Sequence, residues 1–272
     1  DLPKPILHQA RIGESISMIY APFYADSKLH DAILNQPITG VLPDDFNVTK
    51  ASDDRAPGGT LFIPTLCPGC GWDLEGAKDS LALVCTNCET VWKPKHNELT
   101  KISTAHLPSD GGKVLFLPFW RIKADVTDIA LESYADLIRV ANLPKVAQKG
   151  WDNIGFRFWE PAFKVRPRFF LRVGSAVTLN QPTRKLQHGF PKKARLHPVT
   201  LPIGEALETL KLTLADIMRP RKLMREKLAS IQITARAYIL VYLPFVEKHH
   251  EFVQPEMNLA INKNQLALAK HL

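Results

Sequence analysis

Cys67-Pro68-Gly69-Cys70-Gly71 and, after a gap of fourteen residues from Cys70, Cys85-Thr86-Asn87-Cys88 hold all four cysteines of this 272-residue chain, as two CxxC pairs. Two residues between cysteines let one knuckle of backbone aim both sulfurs at a single ion. The stretch between the pairs is long enough to run out and return as a hairpin, which brings the second pair opposite the first. Gly71 stands where the chain must turn tightly after the first pair. A set of four soft sulfur donors points to zinc, and with every position of the tetrahedron taken by sulfur the ion is structural, not catalytic. Iron and a pair of disulfides remain as alternatives on the residues alone. A chain of this length buries a core without staples, which weighs against disulfides. A thioredoxin-like redox pair needs only one CxxC and a βαβ setting, and no such pattern surrounds these.

Leu61-Phe62-Ile63 reads as a strand entering the first knuckle, Leu81 to Val84 as one delivering Cys85, and Thr90-Val91-Trp92 as one leaving the second knuckle. In this order of strands and knuckles, and in its CPxCG first knuckle, the segment 61–104 resembles the zinc ribbons, the rubredoxin-like zinc-binding modules. The resemblance implies that Cys67, Cys70, Cys85 and Cys88 bind one structural zinc ion. Rubredoxin-like iron sites carry a longer separation and a second CPxCG, whereas Asn87 and Glu89 flank Cys88 here. Trp72 and Trp92, beside the knuckles, are expected to cover the metal or to form a contact surface. The likeness covers only a sixth of the chain, and zinc ribbons serve in nucleic-acid enzymes, chaperones and assembly factors alike, so it fixes no function.

Hydrophobic residues make up 45 % of the chain, ordinary for a globular protein. The most conspicuous apolar run, Tyr238 to Val246, is well short of the ~20 residues a membrane helix needs, and Pro244 interrupts it. No membrane span is expected, and a reduced four-thiolate site favours a cytoplasmic location. Polar, proline- and glycine-bearing stretches at 43–59 and 108–112 read as linkers. They set off an N-terminal strand-containing segment (1–50) that packs on the main domain, an inserted zinc ribbon (60–107) and an α+β domain (113–272).

Outside the ribbon an aromatic-x-Pro-Phe element recurs: Tyr20-Ala21-Pro22-Phe23, Phe116-Leu117-Pro118-Phe119 and Tyr242-Leu243-Pro244-Phe245, with Trp159-Glu160-Pro161-Ala162-Phe163 as a looser copy. Each follows or sits in an apolar run, which suggests a duplicated strand-rich unit. The prolines are expected at strand edges, bulges or ends, because a central ladder needs the amide they lack. Helical periodicity marks 203–218 behind Pro202, 221–229 behind Pro220, a helix through Phe169, Phe170, Val173 and Val177, and one through Tyr134, Leu137, Ile138 and Ala141. Gln232 to Tyr242 reads as a strand. Strands and helices mix without βαβ alternation, so the fold class is α+β: a strand-rich domain with several amphipathic helices and an inserted zinc β-ribbon.

The net charge is +8, and it is concentrated. No Asp or Glu lies between Glu160 and Glu205, while Lys164, Arg166, Arg168, Arg172, Arg184, Lys185, Lys192, Lys193 and Arg195 do; outside this interval the chain is close to neutral. The interval is a candidate face for an anion or a partner. Aromatic residues interleave with it, but their spacing assigns most to strands and helix cores instead of to base stacking. No phosphate loop, nucleophile elbow or metalloprotease helix appears, and His249-His250-Glu251 reads as a solvated turn. The expected function is therefore a non-catalytic zinc-ribbon scaffold or adaptor subunit acting with protein subunits of a larger assembly. The alternative is a nucleic-acid-binding protein that uses the basic interval.

Overall fold

The structure, a computed structural model, describes residues 23–32, 34–47, 63–95, 98–109, 111–144, 148–182, 184–191 and 194–268. Tyr20 to Pro22, Leu61 and Phe62, the Pro57–Gly59 linker, Lys192 and Lys193 lie outside the described residues. Two compact units are present, Ser15–Ile63 and a larger one holding everything described from Pro64 onward. In the first, β1 (Phe23–Ala25), β2 (Lys28–Asp31) and β3 (Gln36–Val41) form an antiparallel sheet. Tyr24 stacks on His30 at 4.8 Å across the β1–β2 pair and donates its hydroxyl to Asn35 Oδ1 at 2.7 Å.

The larger unit is mixed α+β. β4 (Leu83–Cys85), β5 (Thr90–Lys95) and β6 (Glu98–Ile102) form one small sheet. The second sheet has eight strands: β7 (Thr104–His106), β8 (Val114–Val126), β9 (Phe158–Pro161), β10 (Gln187–His188), β11 (Arg195–Leu196), β12 (Ile233–Glu247), β13 (Glu251–Gln254) and β14 (Leu259–Asn262). It curls into a half-barrel. Its spine is the antiparallel pair β8–β12, in register from Val126 opposite Ile233 to Val114 opposite Val246, with one irregularity near Arg236.

Two of the aromatic-x-Pro-Phe elements meet in this spine, with Leu117 directly opposite Leu243, Pro118 opposite Tyr242 and Pro244 opposite Phe116. The flanks repeat about that point. β11 runs parallel to β8 at Leu115–Phe116, and β7 runs parallel to β12 at Leu240–Tyr242. β9 runs antiparallel to β8 from Phe119, and β13 runs antiparallel to β12 from Val246. Phe119 and Phe245, equivalent in the two copies, stack at 6.4 Å.

Pro161 ends β9, as expected from sequence, but Pro118 and Pro244 lie well inside β8 and β12, contrary to that expectation. Leu107 N–H donates to Tyr242 O, His197 N–H to Phe116 O and Ala162 N–H to Pro118 O, at 2.9–3.0 Å. The even-numbered residues of this stretch thus turn their backbone groups outward, to the flanking strands, and the odd-numbered ones make the inner ladder. Pro118 falls between the end of β11 pairing and the start of β9 pairing, and Pro244 between those of β7 and β13. The missing amide is lost only where the outer partner changes, so the central ladder stays complete.

Helices α1 (Tyr134–Val140), α2 (Pro167–Leu179), α3 (Ile203–Ile217), α4 (Arg221–Lys227) and α5 (Lys263–Leu268) are found among the described residues. α1 starts with a capping box in which Ser133 Oγ accepts from Asp136 N–H and Asp136 accepts from Ser133 N–H. α2 opens with Pro167, and α3 follows Pro202. α2 packs on β9 and α3, burying Phe170, Val173 and Val177, while α3 buries residues on most of its circumference. Trp120 donates its indole N–H to Leu201 O at 3.0 Å and Phe163 meets Phe119 edge-on at 5.8 Å, tying this layer to the spine. None of the described helices is long and apolar enough to cross a membrane.

One carboxyl lies inside this core. Glu160 of β9 is completely buried, and neither of its oxygens has a hydrogen-bond partner. Thr213 and Thr209 are close enough to favour its charged form slightly, but neither hydroxyl makes a well-formed hydrogen bond to it: Thr209 donates to Ala206 O at 2.8 Å, and Thr213 Oγ1 has no partner among the described residues. Burial pushes the Glu160 carboxyl up to about 8, only partly opposed by Thr213 and Thr209, so it is protonated at neutral pH. Gly174 of α2 makes room for it, because a Cβ there would stand 2.6 Å from Glu160 Oε2.

Candidate metal centre

The four cysteine sulfurs come together, all within 4.8 Å of one another. Local backbone explains why. Cys67 N–H donates to Trp72 O at 2.7 Å, while Cys70 and Gly71 N–H both turn back to Cys67 O, at 3.3 and 2.8 Å. That closes a tight knuckle, with Gly71 at φ +73° on its far side. In the second knuckle the corresponding position is Glu89 at φ 59°, a left-handed conformation that costs a non-glycine residue about 1 kcal/mol. β4 delivers Cys85 and β5 leaves from Thr90, with Cys85 opposite Thr90 in the ladder.

Across the knuckles Cys67 Sγ lies 3.4 Å from Cys88 Sγ, and Cys70 Sγ lies 3.5 Å from Cys85 Sγ, with no disulfide among them. Sulfurs around a tetrahedral zinc at ~2.3 Å stand about 3.8 Å apart, so these two distances come within a few tenths of an ångström of that spacing, and no pair of the four exceeds 4.8 Å. Cys67 and Cys85 are buried, Cys88 is half-buried and Cys70 is exposed. Taken as four thiols they are poised unequally. Burial opposes ionisation of Cys67, but hydrogen bonds from the Gly69 amide, the Thr90 hydroxyl and Cys88 outweigh it and bring the thiol down to about 6. The Asn87 side chain and the Trp72 amide lower Cys70, whereas burial pushes Cys85 up to about 12. A cation would stabilise the thiolate form of all four.

Thr90 organises the surroundings. Trp92 Nε1–H donates to Thr90 Oγ1 at 2.7 Å, and that oxygen lies 3.0 Å from Cys88 Sγ and 3.7 Å from Cys67 Sγ. The hydroxyl hydrogen is thus free to point at sulfur, the second layer that holds metal-binding thiolates in place. Cys67, Leu74 and Cys85 form a small core of their own, joined by Leu83, Cys88, Trp92 and Leu99. Three such residues cannot hold a fold unaided, and a metal ion on the four sulfurs would add the missing stability. The module is nonetheless continuous with the main domain: Ala82, Val91 and Ile102 belong to the large core, and Leu81 N–H donates to Val199 O at 2.7 Å. Trp92 is half-buried over the cluster, whereas Trp72 is 57 % exposed and Leu66 51 % exposed.

The described cations of the basic interval differ in their surroundings. Arg166, Arg168 and Arg172 are exposed on the first two turns of α2 and just before them. Arg184 pairs with Glu256 at 2.5 Å and Arg195 with Glu247 at 3.0 Å, acids that lie far along the chain. Lys164 is half-buried near Glu205, and Lys185 is exposed. Sequence reading missed Glu160 and Arg121. Each is a lone charge in an apolar run, Phe158-Trp159-Glu160 and Leu115 to Ile122, and that interruption is the signal available in the sequence. No protein-family model, curated protein or solved structure matches the chain.

Proposed function

We propose that Cys67, Cys70, Cys85 and Cys88 hold one structural zinc ion in a zinc-ribbon module, and that the chain serves as a non-catalytic adaptor or scaffold subunit of a larger protein assembly in a reducing, cytoplasmic setting. The observation that carries the reading is the first knuckle. It fixes two of the four sulfurs and at the same time holds Leu66 and Trp72 half-exposed on its outside. A closed four-sulfur shell leaves zinc no position for substrate, so the ion's contribution is rigidity, and what it rigidifies is an apolar tip suited to a protein surface.

Affinity purification of the zinc-loaded chain at low salt, beside a Leu66→Ser/Trp72→Ala variant, tests this. The reading expects defined subunits at fixed stoichiometry with the natural chain and their loss from the variant, with zinc content unchanged. Retention of every partner by the variant refutes it. One observation favours nucleic acid as the second reading: Arg166 and Arg168 stand at the N-terminus of α2, where the helix dipole is already positive and no acid lies in the first turn. An anion there relieves the repulsion. Co-purifying material with the absorbance of nucleic acid, released steeply by salt, is the outcome that selects it.

A further inference from the structure

A cavity of about 840 Å³ lies away from the cysteines, between the β8–β9 pair, the segment around Trp151 and the chain that follows α2. That volume is of the size that holds a small organic ligand. Its lining combines rings and polar groups: Tyr134, Trp151 and Trp159 supply the aromatic surface, and Arg121, Gln181 and Arg184 the polar side chains, with no Asp or Glu among the described lining residues. Tyr134 and Trp151 meet edge-on at 5.0 Å, which fixes one aromatic wall.

Arg121 is the unusual member. It lies opposite Trp159 in the β8–β9 ladder, with its guanidinium 5.8 Å from the indole ring. Among the described residues it has no acidic partner, whereas Arg184 has Glu256. Burial and the neighbouring Arg157 both disfavour its charge. An arginine remains protonated regardless, so an uncompensated guanidinium is held at a partly desolvated wall. An uncompensated arginine, no acidic residue among the described lining residues and flat apolar walls are complementary to one class of ligand.

We propose that this cavity binds a small aromatic anion, its planar body against Trp151 and Tyr134 and its acidic group on Arg121. The acidic group is a phosphate or a carboxylate, and the site is independent of the metal module. Desolvated charge-assisted hydrogen bonds of this kind change affinity by at least about tenfold.

The test is calorimetric titration of the full zinc-loaded chain with adenosine 5′-monophosphate, with indole-3-acetate and with uncharged indole, repeated on Arg121→Gln and Trp151→Ala. Binding of one anion at one site per chain is expected, with indole at least tenfold weaker, and which anion binds distinguishes phosphate from carboxylate. Arg121→Gln should lose at least tenfold for the anion while leaving indole unchanged, and Trp151→Ala should weaken both. The expected split between anion and indole separates loss of charge recognition from a damaged fold. Failure of both anions to bind at millimolar concentration overturns the proposal, as does equal anion affinity in Arg121→Gln.

Discussion

Replacing Glu160 with glutamine should stabilise this protein, and by an amount that depends on pH. The carboxyl is fully buried, without hydrogen-bond partners, and its pKa is about 8 in the folded chain against 4.5 when solvated. Below pH 4.5 both states carry the proton and the residue costs nothing electrostatically. From there to about pH 8 the unfolded chain releases the proton while the folded chain keeps it, so stability falls as pH rises and then levels off. At ~1.4 kcal/mol per unit, the loss accumulated by pH 7 is about 3 kcal/mol. Glutamine keeps the shape and never ionises, although its buried amide brings N–H groups that also need partners, which reduces the expected gain to about 2 kcal/mol. Urea denaturation of both proteins at pH 5 and pH 8 reads the effect. The gain should be small at pH 5 and largest at pH 8. Parallel profiles across this range, or a variant less stable than the natural chain at pH 8, would refute the placement of a neutral acid in the core.

Gly174→Ala removes a glycine from a helix, normally a gain of up to ~1 kcal/mol, yet the new Cβ would sit 2.6 Å from Glu160 Oε2, so a net loss of about 1–2 kcal/mol is expected by thermal denaturation, with strong coupling to Glu160 in a double-mutant cycle. Elemental analysis should find one zinc per chain. Cys85→Ser should abolish it and lower the melting temperature of the whole larger unit, because Ala82, Val91 and Ile102 sit in the common core; a separate low-temperature transition confined to the module would contradict that continuity. Reversing Arg166, Arg168 and Arg172 to glutamate should leave the fold intact, and if nucleic acid is the partner it should flatten the salt dependence of binding by roughly one logarithmic unit per contact removed.

The cysteine site could be read from the sequence because its geometry is local: two residues of spacing fix each half, and a hairpin joins them. The helices were similarly accessible, since α2 and α3 carry their burial pattern in the order of their own residues. What depended on remote chain was not. Pro118 and Pro244 announce themselves in the sequence, but their tolerance rests on where β7, β9, β11 and β13 begin and end, which no local pattern states. The partners of the acid-free interval were equally out of reach, for Arg184 and Arg195 meet Glu256 and Glu247 only through the folding of the C-terminal strands. Glu160 and Arg121 are single interruptions of apolar runs, and a sequence cannot say whether such a residue tilts into water or stays inside.

The exchanged flanks of the spine also impose an order on biosynthesis. β7 belongs to the first copy of the strand unit but pairs with β12 of the second, and β11 of the second pairs with β8 of the first. Neither copy can complete its half of the sheet alone, and β8, finished at Val126, waits for a mate that begins only at Ile233. At ordinary translation rates that delay is on the order of ten seconds, with Phe116, Leu117, Phe119, Trp120 and Ile122 on a bare strand. Pairing so remote along the chain also places folding at the slow end of the scale for single domains. Because the two elements match about Leu117 and Leu243, an unfinished β8 can meet its counterpart in another nascent chain nearly as well as β12 of its own. Refolding yield should therefore fall as protein concentration rises.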